Sequence, residues 1–272
     1  MRLRALLCSL VLALQSLAAG CGHARVSSPP TYFTGDQLAL AQAIHQGALA
    51  DIDPLARRLG REGLNRPGAQ DMTLLFFALQ SAMGEKPRQL QILAALVRAG
   101  ADPTQEVPHF GSVLGVALRA QSPLYVQALL DAGVSPDTLL GSSPILFHAA
   151  REHTAATLAL LLDRGASIDK KNTLGNTALM EALQGMQLDQ VMFLLDRGAS
   201  PHFVNINGVS FAGQLQFQIG RQQNGSAAQR RMLQIRDRIV GMGVAWPPSS
   251  RDEERRRMRE RGQEPDKLLP VR

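Results

Sequence analysis

Ala99-Gly100-Ala101-Asp102-Pro103, Ala132-Gly133-Val134-Ser135-Pro136, Arg164-Gly165-Ala166-Ser167-Ile168 and Arg197-Gly198-Ala199-Ser200-Pro201 are four copies of one motif, with their glycines 33, 32 and 33 residues apart. An apolar helix end precedes each glycine: Leu96-Val97, Leu129-Leu130, Leu161-Leu162 and Leu194-Leu195. A second motif falls midway through each period, as Thr73-Leu74-Leu75, Ser112-Val113-Leu114, Ser143-Pro144-Ile145, Thr177-Ala178-Leu179 and a looser Ser210-Phe211-Ala212. A weaker copy of the first motif, Glu62-Gly63-Leu64-Asn65, lies 37 residues before Gly100. The first motif predicts a helix closed by a left-handed glycine. The second predicts a helix opened by a Ser or Thr that satisfies free backbone N–H groups. Ser122-Pro123 and Asp53-Pro54 read as further helix starts, with proline at a position where its missing N–H costs nothing.

A helix pair recurring every ~33 residues resembles the ankyrin repeat, with its Thr-Pro-Leu-His-like opening and Leu-Leu-x-x-Gly-Ala-Asp closing. The resemblance implies an all-α solenoid of about six helix-turn-helix repeats with degenerate end caps, spanning residues 36–246. The first repeat, roughly 36–67, reads as a cap. The second carries extra residues around Met83-Gly84-Glu85-Lys86-Pro87. The third to fifth are the most regular, and the sixth, 207–246, has a longer middle containing Asn224-Gly225-Ser226.

Composition agrees with helix. Of 272 residues 45% are hydrophobic and only 4% aromatic, so the core must be built from Leu, Ala, Val and Met. The formal charge is +6, and it falls to +4 once Arg2 and Arg4 of the leader are set aside. That excess is neither concentrated on a folded face nor interleaved with aromatics, which argues against nucleic acid as a ligand. Part of it sits in the tail, 247–272, at Arg255-Arg256-Arg257. The tail is expected to be loosely helical or disordered, with Glu253 and Arg257 spaced for a helical ion pair. A structural role, in which this basic tail binds cell wall or lipid headgroups, is one alternative.

Residues 1–20 read as a secretory leader: Met1-Arg2-Leu3-Arg4, then an apolar run from Ala5 to Leu17, then Ala18-Ala19-Gly20. The apolar run falls short of the ~20 residues that span a bilayer. Leu17-Ala18-Ala19-Gly20-Cys21 resembles the lipobox of bacterial lipoproteins, in which the cysteine carries the lipid. Ala18 stands where that family has Leu, so cleavage after Ala18 to give a soluble periplasmic protein is the rival. Of the two cysteines, Cys8 lies in the leader and Cys21 is left unpaired, a liability in an oxidising compartment unless modified. The expectation is a chain anchored at Cys21, periplasm-facing and monomeric, with residues 21–35 as tether. By the same resemblance Gly22, not Asp, points to the outer membrane.

No catalytic, cofactor or metal site is expected. Gly208-Val209-Ser210-Phe211-Ala212 falls short of a nucleophile elbow in its last residue, and a loop precedes it where a strand is required. His148, Glu152 and His153 miss the H-x-x-E-H spacing by one residue, and on a continuous helix the two imidazoles would point ~140° apart. A metal-dependent envelope enzyme built on them remains the alternative from a different class. Asp131, Asp163 and Asp196 recur one per repeat, expected ~10 Å apart and solvated.

What is left is surface. The family's contact positions map onto Pro108, His109 and Phe110, then Leu139 and Leu140, then Thr173, Leu174 and Asn176, then Ile206 and Asn207 at the loop tips. On the inner helices they map onto Gln80, Arg119, Arg151, Glu152, Gln184 and Phe217. Grouped apolar side chains at tips and arginines near their centre suit a protein partner. The resemblance implies capture of one specific protein on the concave face. Its sharpest form is an immunity protein that blocks a secreted antibacterial lipase effector in the envelope. A general envelope scaffold and an accessory of an oxidative-stress enzyme are the alternatives.

Overall fold

The helices that open repeats two to five are apolar almost all round, and such helices are stable only when buried on every side. The computed structural model, which describes residues 28–151 and 154–269, stacks them in a row. The helix pairs are α1 (Gly35–Gln46) with α2 (Leu49–Asn65), α3 (Leu74–Ala82) with α4 (Pro87–Arg98), and α5 (Val113–Arg119) with α6 (Leu124–Asp131). There follow α7 (Ile145–Arg151) with α8 (Ala155–Asp163), α9 (Ala178–Gln184) with α10 (Leu188–Asp196), and α11 (Phe211–Gly220) with α12 (Ala227–Gly241). The two helices of each repeat pack on one another, and every first helix packs on the first helix of the next repeat. In the second row α2 packs on α4, α4 on α6, and α10 on α12.

This sandwiching decides which residues face out. In α5 every residue from Val113 to Leu118 is buried and only the terminal Arg119 is exposed. In α9 Ala178 to Leu183 are buried and Gln184 is exposed. The last second-row helix, α12, buries one stripe, Met232, Ile235 and Ile239, as expected for an end cap with solvent on its far side. Among the described residues the strands are two short antiparallel hairpins at loop tips: β1 (Glu106–Val107) with β2 (Gly111–Ser112), and β3 (Leu139–Leu140) with β4 (Ser143–Pro144). The layers are helical, as the sequence predicts.

The recurring glycines do what their spacing predicts. Gly100, Gly133, Gly165 and Gly198 all have φ between 87° and 108°. The residue after each returns a hydrogen bond into the helix, as in Ala101 N–H to Leu96 O and Ala199 N–H to Leu194 O, both within 3.0 Å. Thr73, Ser112 and Ser210 each accept the N–H three residues on, at 3.0–3.1 Å. Thr177 makes no such bond.

Several expectations need correction. Within α2 the positive-φ glycine is Gly60 (φ 63°), which interrupts the helix, and not Gly63. Pro54 lies inside α2 and not at its start, because the helix begins at Leu49. Residues 28–35, assigned to the tether, are folded: Pro29 and Phe33 are buried, and the Phe33 ring meets Phe77 edge-on at 5.6 Å. The tail is ordered where described. It forms α13 (Arg251–Glu260), whose one apolar residue, Met258, is buried. Ser250 and Glu253 close a capping box at its start, so Arg257 pairs with Glu254 (2.9 Å) and not with Glu253. The Asp131, Asp163 and Asp196 carboxylates are exposed, but each is paired with an arginine of the following repeat: Arg164 at 2.6 Å, Arg197 at 2.5 Å and Arg238 at 3.3 Å.

Candidate protein-binding surface

The tips and the free ends of the first helices form the candidate surface, and each is held by the repeat behind it. The hairpin β1–β2 turns through His109, exposed at φ 69°, with Pro108 exposed beside it. Phe110 is half-buried, its ring centroid 5.5 Å from that of Phe76 on α3. Phe110 thus anchors the hairpin and leaves His109 outward. Leu139 and Leu140 form β3, both half-buried, with Leu140 folded onto the core near Gly115.

In the last two repeats tight Asn turns replace the hairpins. The Asn172 carboxamide oxygen accepts the N–H groups of Leu174 and Asn176, each at 3.0 Å. The Asn205 oxygen accepts those of Asn207 and Val209, also at 3.0 Å. These turns are joined: Asn205 Nδ2 donates to Asn176 Oδ1 (2.9 Å), and Asn176 Nδ2 donates to Glu181 Oε1 (3.0 Å). Glu181 Oε2 lies 3.5 Å from Nε of Arg151. A polar chain therefore runs through repeats four, five and six beneath the tips. Asn176, at 6% exposure, belongs to its buried part, and Ile206, at 5%, is also buried. Both were expected at the surface and are internal instead. Thr173 and Asn207 are half-buried, whereas Leu174 remains 40% exposed.

Along the first-helix row the predicted residues do come together. Arg119, Arg151 and Gln184 are the exposed last residues of α5, α7 and α9. Phe217 on α11 is 61% exposed, with the Arg221 guanidinium 5.5 Å from its ring centre. Gln80 on α3 is half-buried. Arg119 makes no ion pair among the described residues. Glu152 and Cys21 lie outside the described residues, as does His153, so the His148–Glu152–His153 arrangement is represented by the half-buried His148 alone. Among the described residues no group of three His, Cys, Asp or Glu side chains could hold a metal ion.

Sequence reasoning missed two features near this surface. Met186, in a left-handed turn after α9, is exposed beside Gln184. A cleft of about 460 Å³ opens between the 201–204 loop, the end of α12 and α13, lined by Lys171, His202, Arg257 and Arg261. The Lys171 ammonium stands 4.0 Å over the Phe203 ring, and burial holds it below the usual lysine range. The signal for the cleft would have been the apolar Met258, isolated in a charged run.

Residues 114–205 match the family model of ankyrin repeats, in three copies. A stretch of 91 residues is 33% identical to ankyrin repeat and SOCS box protein 11 of Pongo abelii; it makes up 34% of this chain and 28% of that protein. The crystal structure of the ankyrin repeat domain of Bcl-3, a member of the IkappaB family, superposes with a TM-score of 0.57 at 25% identity, over 78% of this chain and 89% of that one. The complex of a predatory endopeptidase from Bdellovibrio bacteriovorus with an immunity protein gives a TM-score of 0.48 at 22% identity, over 72% of this chain and 97% of the matched one. Residues 114–205 are thus similar to a run of ankyrin repeats, and the helix pairs on either side stack in the same way.

Proposed function

We propose that the protein is a non-catalytic capture module that binds one protein partner on the tips and first-helix ends of repeats three to six. The observation that carries this reading is the row Arg119, Arg151, Gln184 and Phe217. The first helices of repeats three to five are otherwise almost wholly buried, yet the row leaves two guanidiniums and a phenyl ring exposed at matching positions, residue types enriched at interfaces. Leu174 and Met186 extend it with exposed apolar surface. The test is crosslinking in the envelope of the native cell. One adduct of defined mass should form with the wild type and fall about tenfold with Arg119→Ala/Phe217→Ala, the cost of losing one or two interface anchors. Asp189→Ala, on the second-helix row, should leave it unchanged. Equal adduct from all three chains would refute the surface.

The finer reading is an immunity protein, anchored through Cys21 on the periplasmic side, that neutralises an antibacterial phospholipase effector. Its support is the leader-like sequence of residues 1–20 followed by Cys21, with no further cysteine after it. A palmitate analogue should label the wild type and not Cys21→Ser. Expression should also rescue cells that direct a lipase effector to their own periplasm. Absence of label disposes of the anchor, and absence of rescue by a chain that still captures its partner disposes of the immunity role alone.

A further inference from the structure

Beyond α13 the chain runs back over the loop tips of repeats five and six through two main-chain contacts of one pattern and an ion pair to α13. The N–H of Asp266 donates to the carbonyl of Ile206 (2.7 Å), and the N–H of Leu269, three residues on, donates to the carbonyl of Thr173 (2.8 Å). The Asp266 carboxylate accepts Nη2 of Arg255, whose Nε is buried with no hydrogen-bond partner among the described residues.

The helix and the segment after it are held differently. Helix α13 is seated: Met258 is buried, and Gly208, at φ 77°, has no room for a Cβ, which would come within 2.6 Å of Arg255 Cγ and 2.8 Å of the Arg251 carbonyl. Residues 264–269 are only laid on. Leu268 and Leu269 are 63% and 38% exposed, so main-chain donors and one carboxylate hold the segment, with little apolar burial. The segment turns over residues 264–267, with Asp266 at φ 67°, so the two donors three residues apart both reach the tips.

We propose that the Thr173 and Ile206 carbonyls, with Arg255, form a seat for a polypeptide segment that turns at an acidic residue, as Asp266 does at φ 67°, and carries an apolar one three places later. Residues 264–269 fill this seat in cis, and a partner protein's segment of the same chemistry replaces them. The adjoining cleft favours an acidic occupant, because Lys171, Arg257 and Arg261 line it against the single carboxylate of Glu254. Exchange trades two main-chain hydrogen bonds and one ion pair for equivalent ones, so the tethered segment holds its place chiefly through its high effective concentration. The proposal rests on the protein-binding reading, but the seat can be tested with no partner at hand.

A labelled synthetic peptide of residues 264–272, titrated by fluorescence anisotropy, should bind saturably to a chain ending at Gln263. It should bind at least about tenfold more weakly to the full chain, where the segment competes in cis. Arg255→Ala in the shortened chain should cost about another tenfold, the scale of losing a charge-assisted hydrogen bond. Should the shortened chain fail to fold, full-length Asp266→Ala serves instead, and it should bind the peptide more tightly than the wild type does. Equal binding to the intact and weakened chains, or no binding to a natively folded shortened chain, overturns the seat. Failure of the protein-binding reading would instead appear as undiminished capture by Arg119→Ala/Phe217→Ala.

Discussion

Glu181 is the charged residue in a helix whose other positions up to Leu183 are apolar and buried, and it is itself buried. Its carboxylate is tolerated because the Asn176 amide and the Arg151 guanidinium reach it. Glu181→Ala should therefore destabilise the fold by about 1–3 kcal/mol, the cost of stranding a buried donor. Glu181→Gln, which keeps an oxygen for Asn176, should cost less. Urea unfolding of the two variants measures the difference, and a Glu181→Ala protein as stable as the wild type would remove the network's structural role. At this scale the sequence was only half legible. Spacing alone places Asn176 at a tip, and nothing local reveals that its side chain turns inward. That orientation is set by Asn205, 29 residues away, whose own amide completes the chain. Arg119, Arg151 and Gln184 were legible because the period fixes where each first helix ends, and the end of a buried helix is where it meets water.

Among the elements, α13 was the least legible. Arg251-Asp-Glu-Glu-Arg-Arg-Arg-Met-Arg-Glu260 has too little apolar character to predict a docked helix, and its seat, at Gly208, lies in the sixth repeat. Its start is nonetheless written in Ser250 and Glu253. The Ser250 amide, then its hydroxyl, hold the Glu253 carboxyl below the usual glutamate range. A carboxylate depressed in this way contributes stability that is complete above its ordinary pKa of roughly 4.3 and is lost as pH falls through the folded value. The Ser250 amide resonance should accordingly shift on acidification below about pH 4 in the wild type and stay put in Glu253→Gln. An identical shift in both would mean that the box is not formed. The repeat pairs, by contrast, are bracketed in sequence, a Ser or Thr before the first helix of repeats two to six and a glycine after the second helix of repeats two to five. The first repeat departs from this because Gly60, in a Gly60-Arg-Glu-Gly63 run, takes the positive φ that spacing assigned to Gly63.

For the whole molecule the interfaces between repeats set cohesion, since each repeat touches mainly its neighbours. Two kinds of tie cross them. The Asp–Arg ladder on the second-helix row is exposed, and each rung should contribute under about 1 kcal/mol, screened further by salt. The apolar ties are larger: Leu161→Ala, at a fully buried position, should cost about 2–5 kcal/mol whatever the ionic strength. Thermal melts of Asp163→Ala and Leu161→Ala at low and high salt separate the two, and a large, salt-insensitive loss in Asp163→Ala would contradict this ranking. The start of the stack adds a mechanical consequence. Tyr32 and Phe33 pack against Phe77 of the second repeat, and the Tyr32 carbonyl accepts the N–H of Ala69. A tug on the chain ahead of residue 28 is thus passed beyond the first helix pair into the second, and the array meets it as shear across two units instead of peeling open one at a time.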